Sequence, residues 1–178
     1  AIRRQRQMCI RDRDGIRTIF TGTTRAQNIA YYRAFCSYNM KDYQIASDLF
    51  KQFIQTYPES SFAEECLYMM GFCDYKASPK PRLDQQVTEK AIREFQLYLS
   101  RYPYSMRKDK VNTYMDEMRD KLSYKAYLSA KNYYLREHYK AAVISLQNCL
   151  KDYPGSKYRE EIMYMSVSYT HLTLPTNS

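Results

Sequence analysis

The chain has 178 residues, room for one domain, with a formal net charge of +9, 26% charged residues, 20 tyrosines and no tryptophan. It contains no run of 18 apolar residues, which excludes a membrane-spanning helix. Much of the excess charge is terminal, from Arg3, Arg4, Arg6, Arg11 and Arg13 against Asp12; elsewhere Lys, Arg and Glu intersperse, the pattern of solvated helix faces and not of a nucleic-acid footprint.

The first stretch, Arg4 to Arg13, has no apolar face. It looks like a translated read-through string, with a cationic targeting arm as the competing reading, so residues 1–19 are expected to be a non-native or disordered flank. A signal peptide or lipid-attachment Cys would lie upstream; Cys9 is no lipobox Cys, because no apolar stretch precedes it.

From Phe20 a periodic pattern sets in. Ala46, Phe50, Phe53, Tyr57 and Pro58 return as Ala91, Phe95, Tyr98, Tyr102 and Pro103, and again as Ala142, Leu146, Cys149, Tyr153 and Pro154. Steps of four, three and four lay one apolar stripe along a helix. Pro ends that helix, since it lacks an N–H and pushes the residue before it out of the α region. Ser60, Ser105 and Ser156 then suit the N-cap of the next helix. Upstream, Ala34, Tyr38, Tyr43 and Ala46 match Ala130, Tyr134, Tyr139 and Ala142 in spacing, while Gly71 and Tyr75 hold the first two positions in the middle unit. A small residue lets two helices approach closely. A helix, stop and cap repeated three times predicts an all-α chain, an α-solenoid of helix pairs over residues 20–165.

The units are unevenly spaced: Pro58 and Pro103 stand 45 apart, Pro103 and Pro154 51 apart. About eight extra residues fall between Ser78 and Thr88, where Pro79 and Pro81 forbid helix and Asp84 suits an N-cap for a helix reaching Tyr102. About fourteen more fall between Ser105 and Ala130, a stretch without Gly or Pro whose apolar positions Val111, Met115, Met118, Leu122, Ala126 and Ala130 never lose helical phase. They predict one long helix over about 106–136. From Ser166 the pattern breaks, and residues 166–178 are expected to be a second non-native flank.

No catalytic motif is present: none of the four glycines forms a phosphate-binding loop. Glu64-Glu65 and Glu160-Glu161 fall in first helical turns, where negative charge complements the helix dipole, a sufficient reason for them without acid–base catalysis. Cys66 and Cys73 are seven apart on one helix, too far for a disulfide; no CxxC occurs, and His138 and His171 are isolated. No enzyme, metal or cofactor is expected. What remains is a binding surface on the first helix of each pair. Tyr32, Arg33, Tyr68 and Lys76 are the candidates there for an extended peptide, and Lys121, Lys125 and Arg136 on the long helix for an acidic partner.

The spacing of small residue, aromatic, Ala, aromatic and Pro resembles the tetratricopeptide repeat. Ser78-Pro79 … Leu83-Asp84-Gln85 … Thr88 … Ala91 … Gln96 … Tyr102-Pro103, with Tyr139 to Ile144, Leu150 to Pro154 and Lys157 to Glu161, resembles the BamD family, tetratricopeptide-repeat lipoproteins of the outer-membrane β-barrel assembly machinery. The resemblance covers roughly residues 20–165. It implies a non-enzymatic scaffold on the periplasmic face of the outer membrane. Its partners would be the barrel subunit's periplasmic domains, other assembly lipoproteins and unfolded outer-membrane proteins. Its hold on the membrane would be a lipid anchor outside this stretch. A periplasmic coordinator of the Tol–Pal type would share the Tyr-Pro and Ser pattern but not the insertions. A chaperone-clamping adaptor would need clustered Lys and Asn, which Arg33 and Asn39 match poorly.

Overall fold

The structure, a computed structural model, describes residues 24–173. Its elements are α1 (Thr24–Asn39), α2 (Tyr43–Thr56), α3 (Ala63–Ala77), α4 (Gln86–Arg101), α5 (Lys108–Leu135), α6 (Tyr139–Asp152) and α7 (Arg159–Thr173), with no strand among the described residues. The fold is all-α, with sequence-adjacent helices packed on one another as in a tetratricopeptide-like solenoid. The chain divides into two compact units: the part up to Ser78 with Gln86–Val111, and Pro79–Gln85 with Asn112 onward.

The repeated phrase is the core. Ala46, Phe50 and Phe53 of α2, Ala91, Phe95 and Tyr98 of α4, and Ala142, Leu146 and Cys149 of α6 are all buried. Each such helix stops as the proline requires: Tyr57 and Tyr153 leave the helical region at φ −132° and −129°, and the amides of Tyr57, Tyr102 and Tyr153 still donate to the carbonyls of Phe53, Tyr98 and Cys149. In the second unit, Tyr127 and Ala130 of α5, the α6 phrase and Ile162 of α7 close a separate core.

Gly71 shows why a small residue is needed in mid-helix. A Cβ there would stand 2.9 Å from two ring carbons of Phe95, so α3 and α4 meet at a distance only glycine allows. The turns after α1 and α5 use another device. Lys41 and Glu137 sit at φ 66° and 63°, the left-handed conformation that closes a helix C-terminus, and the amides of Asp42 and His138 reach back to the carbonyls of Ser37 and Tyr133.

Four expectations are refined. The long helix is α5, spanning Lys108–Leu135. The serines are not the α-helical N-caps: α3 begins three residues after Ser60, with Phe62 at its cap. Each serine instead closes the turn ahead of the helix, its Oγ accepting from the amide two residues on, at Phe62 (3.3 Å), Arg107 (3.2 Å) and Tyr158 (3.2 Å). This is the local side-chain-to-backbone bond that Ser favours in turns. Asp84 does not start α4, which begins at Gln86, because the buried Gln85 is engaged in holding the preceding loop. At the other end α7 runs to Thr173, through Ser166 where the sequence pattern breaks. The expected N-terminal flank, residues 1–19, lies outside the described residues.

Candidate functional site

One arrangement recurs three times. A tyrosine one turn before the small residue, at Tyr31, Tyr68 and Tyr127, is covered by the side chain two positions after the turn serine. Phe62 covers Tyr31 at 4.6 Å between ring centroids, the Arg107 guanidinium lies 4.8 Å over Tyr68, and Tyr158 covers Tyr127 at 5.6 Å. The first-turn glutamates bolt these helices together. Glu65 accepts from Tyr31 Oη (2.8 Å) and Glu161 from Tyr127 Oη (2.7 Å), while Glu64 accepts from both Tyr98 Oη (3.0 Å) and Ser105 Oγ (2.7 Å). Burial and the carboxylate together push the Tyr31 hydroxyl well above the usual phenol range. These glutamates therefore do more than complement a helix dipole. They are spent on structure, which removes them as acid–base candidates.

In the first unit, α3 presents a row of half-buried rings. Tyr68 and Phe72 stack at 5.8 Å, and Phe72 and Tyr75 at 6.0 Å, with Tyr38 of α1 tilted against Phe72 at 6.2 Å. Cations stand at both ends of the row: Arg107 over Tyr68, and Lys76, whose Nζ is 5.2 Å from the Phe72 ring and 5.6 Å from the Tyr75 ring. Of the residues expected here, Tyr68 and Lys76 thus belong to one feature. Tyr32 is exposed and meets Tyr31 edge-on at 5.3 Å. Arg33 instead lines a shallow recess between α1 and α2 with Gln52, Phe53 and Tyr57. Sequence reasoning missed Phe72 and Arg107. The step of four from Tyr68 could have revealed Phe72; Arg107 depends on the turn geometry. It also missed Tyr104 and Met106, the most exposed large apolar side chains described, at 99% and 102%.

In the second unit, Lys121 and Lys125 of the sequence reading stand one turn apart on α5, and Arg136 lies just past its end. Lys121 is half-buried, and desolvation lowers its pKa. Arg136 is exposed and follows the last helical residue. Lys125 lines a groove of about 390 Å³ with Leu128, Ser129 and Asn132 of α5 and with Pro81 and Arg82 of the proline loop. In a second cleft, between Asp116–Ser123 and the turn Asp152–Lys157, both cations are paired: Lys157 meets Asp120 at 2.5 Å and Arg119 meets Asp116 at 3.3 Å.

One buried polar cluster lies inside the first unit. Lys90 of α4 bonds Asp74 of α3 at 2.9 Å and stands 3.7 Å from Glu94, and Ser47 of α2 donates to Asp74 at 3.0 Å. Glu94 is only 8% exposed, and its Oε2 is buried with no donor in reach. Burial first, then the neighbouring Asp74, raises its pKa to about 8. A proton on Glu94 removes the charge that burial and the neighbouring Asp74 carboxylate disfavour.

Cys66, Cys73 and Cys149 are buried free thiols, and burial pushes Cys66 and Cys73 up to about 12, far from nucleophilic thiolates. Among the described residues no group of His, Cys, Asp and Glu could hold a metal ion, and no helix is long and apolar enough to cross a membrane. A family model described as YfiO, outer membrane lipoprotein, matches residues 11–178. No curated protein matches the chain.

Proposed function

From the chain's membership of the YfiO family of outer membrane lipoproteins, as a BamD-like protein, we propose that it is a non-enzymatic scaffold of the β-barrel assembly machinery, working on the periplasmic face of the outer membrane. In this reading it binds the periplasmic domains of the barrel subunit and receives unfolded β-barrel precursors. The observation that carries the reading is the aromatic row Tyr68–Phe72–Tyr75 with Arg107 and Lys76 at its ends. Half-buried stacked rings keep their shape without a ligand, so a strand-like peptide can lie across them at little ordering cost. Lys76 suits an acidic or C-terminal carboxylate group at one end of such a strand, while Arg107, paired with Glu65 at 3.5 Å, fixes the other end of the row.

The exposed Tyr32 would extend this contact, and Lys121, Lys125 and Arg136 would serve a different partner in the second unit. The test is co-purification of residues 20–178 with the periplasmic domains of the cognate barrel subunit, alongside fluorescence titration with a peptide of a β-barrel precursor's terminal strand. Micromolar binding of the domains, with a peptide affinity lowered about tenfold by Phe72→Ala, is the expected result. A chain that captures neither ligand rules the scaffold role out.

A further inference from the structure

We propose that the groove between the proline loop and the second half of α5 docks an acidic, apolar-containing segment of a partner protein, held by Arg82 and Lys125 over a floor of Pro81 and Leu128. Three observations carry this.

The loop is built to present Arg82. Lys80-Pro81-Arg82-Leu83 is a β-turn, with the Leu83 amide donating to Lys80 O at 3.0 Å and proline at the second position, where its fixed φ belongs. Gln85, 2% exposed, clamps that turn from inside: its amide nitrogen donates to Lys80 O at 2.8 Å and Leu83 O at 3.2 Å. A buried amide used on two loop carbonyls fixes the loop in advance of any ligand, which lowers the ordering cost of binding.

The groove is also electrostatically one-sided. Its six lining residues include two cations, the polar side chains of Ser129 and Asn132, and no carboxylate. Neither Arg82 nor Lys125 forms an ion pair among the described residues, unlike Lys90, Arg107, Arg119 and Lys157. In the other cleft of the same unit both cations, Arg119 and Lys157, are paired with aspartates, so unpaired cations are not general to this unit.

The floor argues for a peptide over a bare anion. Pro81 and Leu128 lie with the cations, and Leu83 beside them is 59% exposed. An apolar strip with cations beside it matches a segment in which Asp or Glu flanks an apolar side chain; an inorganic anion would leave the strip unused.

The inference rests on the scaffold reading for the kind of partner but not for the groove's chemistry, and the experiment separates the two. The probe is a synthetic twelve-residue peptide alternating Glu and Leu, titrated into the isotope-labelled chain and followed by amide chemical shifts. Parallel titrations use its Gln counterpart, inorganic phosphate and anionic phospholipid vesicles. The expected result is saturable shifts at Arg82, Lys125 and Ser129 with the Glu peptide, weakened at least tenfold by Gln substitution in the peptide. Arg82→Gln with Lys125→Gln should abolish them, with helix content unchanged by circular dichroism. No shifts in the groove, or equal shifts with phosphate or vesicles, overturn the proposal. The barrel subunit's periplasmic domains provide the second readout. If they bind the chain and its double variant equally and the Glu peptide does not shift the groove, this proposal fails while the scaffold reading stands. If they do not bind at all yet the Glu peptide does, the scaffold reading fails and the groove stands.

Discussion

Lys41 and Glu137 adopt a backbone conformation that costs an L-residue about 1–2 kcal/mol relative to the right-handed region, and both do so at the same point of their helix turns. Glycine avoids that cost but loses more freedom on folding, so Lys41→Gly and Glu137→Gly are each expected to gain about 0.5–1 kcal/mol. Urea unfolding checks this; a lower midpoint in either variant contradicts the left-handed turn. Glu94 makes the opposite kind of residue-scale prediction. Its folded pKa of about 8 lies above the ordinary 4.5, so the folded state holds the proton more tightly. Its contribution to stability is fully present below the ordinary carboxyl range and is lost as pH rises through about 8. Asp74 and Cys73 of α3, Asp48 and Lys51 of α2, and Lys90 of its own helix are the titratable neighbours that face this cluster. Glu94→Gln keeps the shape and removes the charge change. Melting temperatures should fall from pH 5 to pH 9 in the parent and stay closer together in the variant.

Between elements, the closest approach and the longest-range bonds do different work. Gly71→Ala would gain about 1 kcal/mol of helix propensity, but its Cβ meets the fully buried Phe95 ring at 2.9 Å, and overpacking a tight core costs about 1–3 kcal/mol. The net expectation is a loss of about 1 kcal/mol by denaturant titration; a gain would mean that α3 and α4 separate freely. Tyr31→Phe and Tyr127→Phe each delete a bond to a carboxylate, and each is expected to cost about 1–2 kcal/mol in the same measurement, with little change in helix content. The sequence made the packing positions legible, because burial along a helix leaves a period and Ala46, Phe50 and Phe53 repeat it twice more. It made the stops legible, because proline acts on its immediate neighbour. The tyrosine–glutamate bonds were not legible, since partners 34 residues apart leave no local period. Lys125 was legible as one of the long helix's cations, whereas Arg82 gains its place from a turn clamped by Gln85, and Asp84 looked like a cap because that clamp is invisible in one dimension.

At the scale of the whole molecule, a net charge of +9 and an unneutralised cationic groove point the same way. Association with an acidic partner should be steered by the field and so should slow as salt screens it. Surface-plasmon association rates for the barrel subunit's periplasmic domains are expected to fall severalfold between about 50 and 500 mM salt, with dissociation changing less. A salt-independent association rate would show that docking is carried by apolar contact alone.

The tyrosine–glutamate bonds also have an optical consequence. The chain has 20 tyrosines and no tryptophan, so its ultraviolet emission is that of phenols. A phenol becomes a stronger acid when excited, and a carboxylate already hydrogen-bonded to it takes the proton and quenches the light. Tyr31, Tyr98 and Tyr127 are held in that arrangement by Glu65, Glu64 and Glu161. The folded protein should therefore be dim at these three rings and brighten as the helices part, giving an unlabelled signal in both units.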